Sequence, residues 1–236
     1  MPTLDNAIFA RFLAALELSL VVATTDTDPD IEAEKAKSLL DIGAEGLIIT
    51  GAAHSTALHD LVERTMLPTI ITAYYDAENP LPTIGYDNAG AAQLALQHLT
   101  DLRHQRIADA ARQICALPQM PDALLCQSDV VALGVLFGLQ AEDISVPGDV
   151  SLVGIDDLPS SAVAAPSITT VHLPVTQMGE KAAIALARWI SDQKRPGAER
   201  LEARLVERQS VSRRKTARRR RLRRSCAPWT SCQCRG

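Results

Sequence analysis

Two adjacent carboxylates, Asp156 and Asp157, directly follow an apolar segment, 150–155, that a turn at 147–149 precedes. The β-branched residues of this segment predict a buried parallel strand. Ligands of open α/β sheets bind at the carboxyl ends of the strands, so Asp156 is placed where a polar small molecule could be held. A carboxylate accepts hydrogen bonds, which suits the hydroxyl groups of a sugar or nucleoside. The alternative is that Asp156 or Asp157 caps the following helix.

Motifs of common enzymes are missing from the sequence. It contains no phosphate loop of the type Gly-x4-Gly-Lys-Ser/Thr, no His-Glu-x2-His zinc motif and no nucleophile elbow. No histidine has a carboxylate and a nucleophile at a spacing typical of catalysis; the five are His54, His59, His98, His104 and His172. We therefore predict a protein that is not an enzyme and that needs no cofactor or metal.

Strand-like and helix-like segments alternate along the chain, which predicts mostly parallel sheets with helices on both faces. The predicted helices are 8–20, 31–42, 55–65, 89–102, 108–117, 130–140 and 176–191. The predicted strands are 20–24, 46–50, 68–72, 82–86, 122–126, 150–155, 168–173 and, as an edge strand, 201–206. Asp28 or Asp30 is expected to cap the second helix, and Asp87 the fourth.

Length and composition suit a globular protein. The 236 residues suffice for one large domain or two small ones. Hydrophobic residues make up 47%, enough for a core, whereas 3% aromatic residues argue against a stacking platform for nucleic acid. No apolar run approaches a membrane span, and the first residues lack the pattern of a signal peptide. These features predict a cytoplasmic protein in which Cys115 and Cys126 are reduced core residues.

The charge of the chain changes sharply near Ser212. Residues 1–212 carry 14 basic and 28 acidic side chains, a net of −14, whereas ten basic and no acidic residues follow. The acidic body would not bind a phosphate backbone by itself. The basic tail has two possible explanations: it contacts nucleic-acid phosphates without sequence specificity, or it is a disordered appendage of the kind that a shifted reading frame produces. Its three cysteines lack the second pair typical of a zinc site.

Three successive segments resemble LacI/GalR-type transcriptional regulators: CQSDVVALGVL (126–136), VPGDVSLVGIDD (146–157) and SITTVHLPVTQMGEKA (167–182). LPTIGYDNAGAAQLALQHLTDLRHQRIA (81–108) agrees, and the match covers most of 2–212. The resemblance implies an α/β fold of two doubly wound parallel-sheet subdomains of periplasmic-binding-protein type, incomplete here. Their expected limits are 1–102 with 174–195, and 103–173 with 196–212, followed by a basic tail at 213–236.

The resemblance also implies which residues line the effector cleft between the subdomains. Asp156 matches the aspartate that contacts the effector, and Ser128 matches a polar cleft residue. Asp129, the residue after it, is expected to cap the next helix rather than to touch the ligand. The remaining matches are Asp5, Asn6, Ile8 and Phe9 from the first subdomain, Leu173 and Val175 at the third crossover, and Tyr75. For Phe9, Leu173 and Val175 ordinary core packing is the alternative.

The sequence departs from the family pattern in two places. The helix-turn-helix, the hinge and the first core strand with which family members begin have no match in this sequence, and a strand, a helix and a further strand are missing near 107–110. The missing part normally supplies an arginine that clamps the effector, and Arg103, Arg106 and Arg112 do not match its spacing. These departures predict a truncated and internally deleted relative.

The function implied by the resemblance is the effector-sensing and dimerisation core of a LacI-type regulator, expected to be a repressor. Its expected partners are a small sugar-like or nucleoside-like effector, a second copy in a homodimer, and DNA through a helix-turn-helix outside this chain. A ligand that favours one subdomain orientation would act by population shift. The main alternative is a sugar-binding protein of a transport system; a sugar-active enzyme is a third, disfavoured by the missing catalytic pairs.

Overall fold

The computed structural model describes residues 21–25, 28, 31–102, 107–109 and 121–213. The helices are α1 (Glu32–Asp41), α2 (Thr56–Thr65), α3 (Asn88–Asp101), α4 (Asp129–Ala141), α5 (Pro159–Val163) and α6 (Val175–Asp192). The strands are β1 (Leu47–Thr50), β2 (Thr69–Thr72), β3 (Thr83–Tyr86), β4 (Ile107–Asp109), β5 (Ala123–Leu125), β6 (Ser151–Ile155), β7 (Thr169–His172), β8 (Glu199–Leu201) and β9 (Arg204–Val206).

The described chain forms two compact units, one up to Ala91 with Leu173–Ala203, the other from Ala92 to His172 and from Arg204 onward. The first unit contains a four-stranded parallel sheet in the order β1-β2-β3-β8. Every residue of β2 and β3 is buried. Strands covered on both faces are expected to be rich in apolar residues, as the Ile70-Ile71 pair of β2 illustrates, and the flanking Thr69 and Thr72 are buried as well.

The core of the first unit joins α1 and α2 to β1. Leu47, Leu58 and Val62 form a buried cluster with Ala36 and Leu67. The start of α2 is fixed by Ser55, whose hydroxyl accepts a hydrogen bond from the Leu58 N–H at 3.2 Å, as expected of a serine N-cap. Helix α6 packs against β1, β2 and β3.

The second unit contains a five-stranded sheet in the order β4-β5-β6-β7-β9. All neighbours are parallel except β7 and β9, which are antiparallel at the edge of the sheet. Its core is apolar and joins α4 to β5 and β6. The buried members are Leu124, Cys126, Ala132, Leu136, Leu139, Val146, Val150, Leu152 and Ile168.

The predicted α/β class with parallel-dominated sheets is confirmed, and four local predictions are wrong. The predicted cap of α1 by Asp28 or Asp30 is not formed, because Ile31 is the N-cap and no side chain caps it. Residues 21–24 of the strand predicted at 20–24 have no regular structure, and 108–109, the first residues of the helix predicted at 108–117, lie in β4. The single edge strand predicted at 201–206 is two strands in different sheets. Because alternating residues suit an edge strand in either sheet, the sequence pattern cannot divide this segment.

The predicted subdomain limits differ from the two units at 92–102, which fall in the second unit, and at 196–203, which fall in the first. We predicted that residues 196–203 belong to the C-terminal subdomain, but β8 pairs with β3 in the first sheet. The limits as a whole stay a prediction.

Candidate functional site

Asp156 directly follows β6 at the carboxyl edge of the second sheet. Its backbone N–H donates a hydrogen bond to the Val171 carbonyl of β7 at 2.8 Å, and the residue is 9% exposed. Its φ of 116° and the 54° of Asp157 lie in the left-handed region. A Cβ disfavours this region, so two consecutive non-glycine residues there form an unusual turn. Such outliers concentrate at functional positions.

The capping alternative for this aspartate pair is wrong. The N-cap of the next helix, α5, is Leu158, and no side chain caps it. The carboxylate of Asp157 instead faces Arg208 and His172: Oδ1 lies 2.5 Å from Nη2 of Arg208, and Oδ2 lies 3.0 Å from Nδ1 of His172. Burial alone would raise the pKa of Asp157, but the hydrogen bonds and charges of Arg208 and His172 outweigh burial and lower it.

Ser128 lies at the same sheet edge as Asp156. Leu125 of β5 pairs with Val153 of β6, and Ser128 and Asp156 each follow three residues later. Ser128 is the N-cap of α4, and its hydroxyl accepts a hydrogen bond from the Val131 N–H at 3.3 Å. Because a hydroxyl both accepts and donates, this bond leaves its proton for a second partner.

Asp129 is not the helix cap that we predicted, because Ser128 occupies that position. Asp129 is fully buried and holds together two neighbouring segments. Its Oδ1 accepts a hydrogen bond from the Thr170 hydroxyl at 2.6 Å, and its Oδ2 accepts one from the Leu158 N–H at 2.8 Å. Burial raises its pKa, and these hydrogen bonds only partly oppose the rise.

The two candidates at the third crossover are buried. Leu173 is 5% exposed, and Val175, the first residue of α6, is 0% exposed. The Val175 N–H donates a hydrogen bond to the Leu173 carbonyl at 2.8 Å. This burial fits ordinary packing, the alternative that the sequence left open, and their contact with an effector stays a prediction.

Tyr75 follows β2 at the carboxyl edge of the first sheet. The guanidinium carbon of Arg200, a residue of β8, lies 6.0 Å from the centroid of the Tyr75 ring, within range of a cation–π contact. Arg200 also forms an ion pair with Asp87, whose Oδ2 is 3.3 Å from Nη2. The Oδ1 of Asp87 caps α3 by accepting a hydrogen bond from the Gly90 N–H, as predicted.

Three of the predicted site residues, Asp5, Asn6 and Phe9, lie outside the described residues, as does Ile8. Of the others, the second unit brings Ser128 and Asp156 to one sheet edge, while Tyr75, Leu173 and Val175 belong to the first unit.

The sequence did not identify Arg200 and Arg208 as part of the site. The alternating segment predicted as an edge strand, 201–206, lies between these two arginines and gives no partner for either.

The described ranges contain neither a cluster of metal ligands nor a helix that could span a membrane. No group of three or more His, Cys, Asp or Glu side chains there is arranged to hold a metal ion. None of the helices described is long and apolar enough to cross a membrane.

Comparison with known proteins identifies the class to which this fold belongs. Residues 36–211 match the family described as periplasmic binding protein-like domain, and the chain therefore belongs to that family. The HTH-type transcriptional regulator reg1 of Streptomyces lividans is 26% identical over an alignment 258 residues long, gaps included. The alignment covers 84% of this chain and 75% of the relative. The HTH-type transcriptional repressor PurR of Escherichia coli is 35% identical over 102 residues, 43% of this chain and 30% of the relative.

A solved structure agrees with this assignment at the level of the fold. It is a LacI family transcriptional regulator from Enterococcus faecalis with bound ribose, with a TM-score of 0.78 and 21% identity, covering 91% of this chain and 98% of that one. The predicted resemblance to LacI-type regulators is confirmed. Within the family, this chain is similar to the core of HTH-type transcriptional regulators such as reg1 and PurR.

Proposed function

We propose that this core senses a small polyhydroxylated effector, a sugar or nucleoside, and that Asp156 binds its hydroxyl groups. The observation that carries the proposal is the strained conformation of Asp156 at the tip of β6, with a φ of 116°. A residue whose backbone is held in a disfavoured conformation at the carboxyl edge of a parallel sheet is more readily explained by binding than by folding. Ser128 at the same edge offers a hydroxyl to the same ligand.

We further propose that the protein works as a cytoplasmic repressor and not as an enzyme, with operator DNA as its partner through a helix-turn-helix reader. The relatives named as regulators support this assignment over a transport protein. Leu173, Val175, Tyr75, Asp5, Asn6 and Phe9 are kept as proposed contacts of the effector.

The effector proposal is tested by titration calorimetry against a panel of sugars and nucleosides that includes ribose. We expect Asp156→Asn to weaken the binding of the best ligand by about tenfold to a hundredfold, since hydrogen bonds to a charged group contribute about 1.5–3 kcal/mol. The matched control is Asp143→Asn, because Asp143 is an exposed aspartate that also has a positive φ, of 57°. Equal affinities of wild type and Asp156→Asn would refute the role of Asp156.

An exposed apolar face on α4 supports the proposed homodimer. Val130 and Phe137 are 66% and 62% exposed, and their seven-residue spacing places them on one side of the helix. Exposed large apolar side chains on one face are typical of a protein interaction surface.

We expect Phe137→Glu to raise the dimer dissociation constant by about 30-fold or more, since a central aromatic residue of an interface commonly contributes about 2 kcal/mol. Size-exclusion chromatography with light scattering measures the change. Val163→Glu, at an 84% exposed apolar residue on α5, serves as the control. A wild type that is monomeric at all concentrations, or a Phe137→Glu dimer as tight as that of the control, would rule out this interface.

A further inference from the structure

The turn after β6 has a conformation that its own residues do not favour. Asp156 and Asp157 have φ values of 116° and 54°, and neither is a glycine, the residue that adopts such angles without steric cost. Backbone of this kind persists only where surrounding contacts determine it. The contacts of Asp157 are therefore expected to fix the backbone conformation of Asp156.

The carboxylate of Asp157 is held on both oxygens by the neighbouring edge of the sheet. Arg208 lies 2.5 Å from Oδ1 and His172 lies 3.0 Å from Oδ2. The three side chains are largely shielded, with 16% of Asp157, 17% of Arg208 and 23% of His172 exposed. Because these side chains are shielded, water and salt screen their electrostatic attraction less than that of an exposed surface pair.

Arg208 is itself fixed by the backbone of the sheet. Its Nη1 donates a hydrogen bond to the Ile168 carbonyl at 2.9 Å, and its backbone N–H donates one to the Thr169 hydroxyl at 2.9 Å. The cation therefore has a fixed position beside β7. It acts as an anchor for Asp157, because the guanidinium can satisfy a carbonyl and a carboxylate at the same time.

We propose that Asp157, His172 and Arg208 are positioning residues: they hold the turn after β6 so that Asp156 presents its carboxylate to the effector. None of the three needs to touch the ligand. The inference rests on the proposed role of Asp156 in binding and adds the part of the fold that sets its geometry. It predicts that losing the Arg208 anchor affects binding only through Asp156.

The first test measures the turn directly, without a ligand. Amide hydrogen exchange of Asp156, whose N–H donates to Val171, is compared with that of Leu124, a fully buried residue of β5. In Arg208→Met we expect Asp156 to exchange about tenfold faster or more, while Leu124 is unchanged, because the turn then opens locally. Arg204→Met, at an exposed arginine of β9, is the matched control. Equal acceleration at both amides would show a purely structural role and overturn the proposal.

The second test uses ribose as the probe in titration calorimetry. We expect Arg208→Met to weaken ribose binding by about tenfold, and to cause no further loss when Asp156→Asn is already present, since coupled residues are not additive. Additive losses in the double variant would overturn the positioning role. Asp157→Asn keeps the shape of the side chain and tolerates a positive φ, so it repeats both tests if Arg208→Met does not fold.

The two proposals fail in different ways. If ribose and every other sugar and nucleoside tested bind equally well to the wild type and to Asp156→Asn, the effector role of Asp156 is lost. The exchange result at Asp156 and Leu124 then still decides whether the three residues hold the turn.

Discussion

Gly154→Ala is expected to destabilise the second unit by about 3 kcal/mol or more, enough to unfold it under mild conditions. A Cβ at Gly154 would lie 2.2 Å from Oδ1 of Asp129, and that carboxylate cannot retreat because it is buried and bonded to Thr170 and Leu158. The added methyl group would either overpack the core or break the buried hydrogen bonds. Overpacking typically costs about 1–3 kcal/mol, and leaving buried polar groups unpaired costs a further 1–3, roughly.

The measurement is urea unfolding of the intact chain, followed by amide exchange in each unit separately. Two units need not unfold together, so the exchange of Leu152 in β6 reports on the second unit and that of Ile70 in β2 on the first. Gly134→Ala in α4 is the control, since nothing lies within 4 Å of a Cβ there. The control should be more stable than the wild type by about 0.5–1 kcal/mol, the usual gain for glycine to alanine in a helix. A Gly154→Ala protein as stable as this control would contradict the packing that we describe.

Asp129→Ala is expected to cost about 3 kcal/mol, because the Thr170 hydroxyl and the Leu158 N–H would both lose a buried acceptor. Asp129→Asn should cost clearly less, since the amide oxygen can accept from Leu158 while the amide nitrogen donates to the Thr170 oxygen. Urea unfolding at fixed pH measures both. A loss below about 1 kcal/mol for the alanine variant would show that the hydrogen bonds of Asp129 do not hold these segments together.

Asp129 should also make the free energy of unfolding depend on pH in a recognisable direction. The pKa of Asp129 in the folded protein is raised, so between about 3.9, the value in the unfolded chain, and the raised value the folded state binds more protons. Stability attributable to Asp129 therefore falls as the pH rises through this window. Asp157 acts in the opposite sense: its pKa is lowered, so the stability it contributes is lost as the pH falls below about 3.9. The stability advantage of wild type over Asp129→Asn isolates the first effect: it should shrink as the pH rises through this window, and an advantage that grows with rising pH would contradict the prediction.

Much of the fold could be predicted from the sequence because local patterns determine it. The β-branched segment before Asp156 predicted β6, and the amphipathic spacing of 176–191 predicted α6. The alternation of strand-like and helix-like segments predicted the α/β class, and the family resemblance added the two-subdomain fold and the match of Asp156 to the cleft aspartate. Hydrophobic periodicity and chain order carry this information directly, so no long-range contact has to be known.

Only the tertiary structure decided which partners the charged residues near the end of β6 contact. Ser128, not Asp129, caps α4, and Asp129 is buried against Thr170 and Leu158. Arg208 lies 51 residues from Asp157 in the chain, yet the antiparallel pairing of β9 with β7 brings the two together. A backbone with positive φ at two aspartates, and the ion pairs beside it, depend on contacts between distant segments that no local pattern records. The sequence by itself determined that Asp156 follows a strand at the carboxyl edge of a sheet, and the packing of β7 and β9 decided what surrounds it.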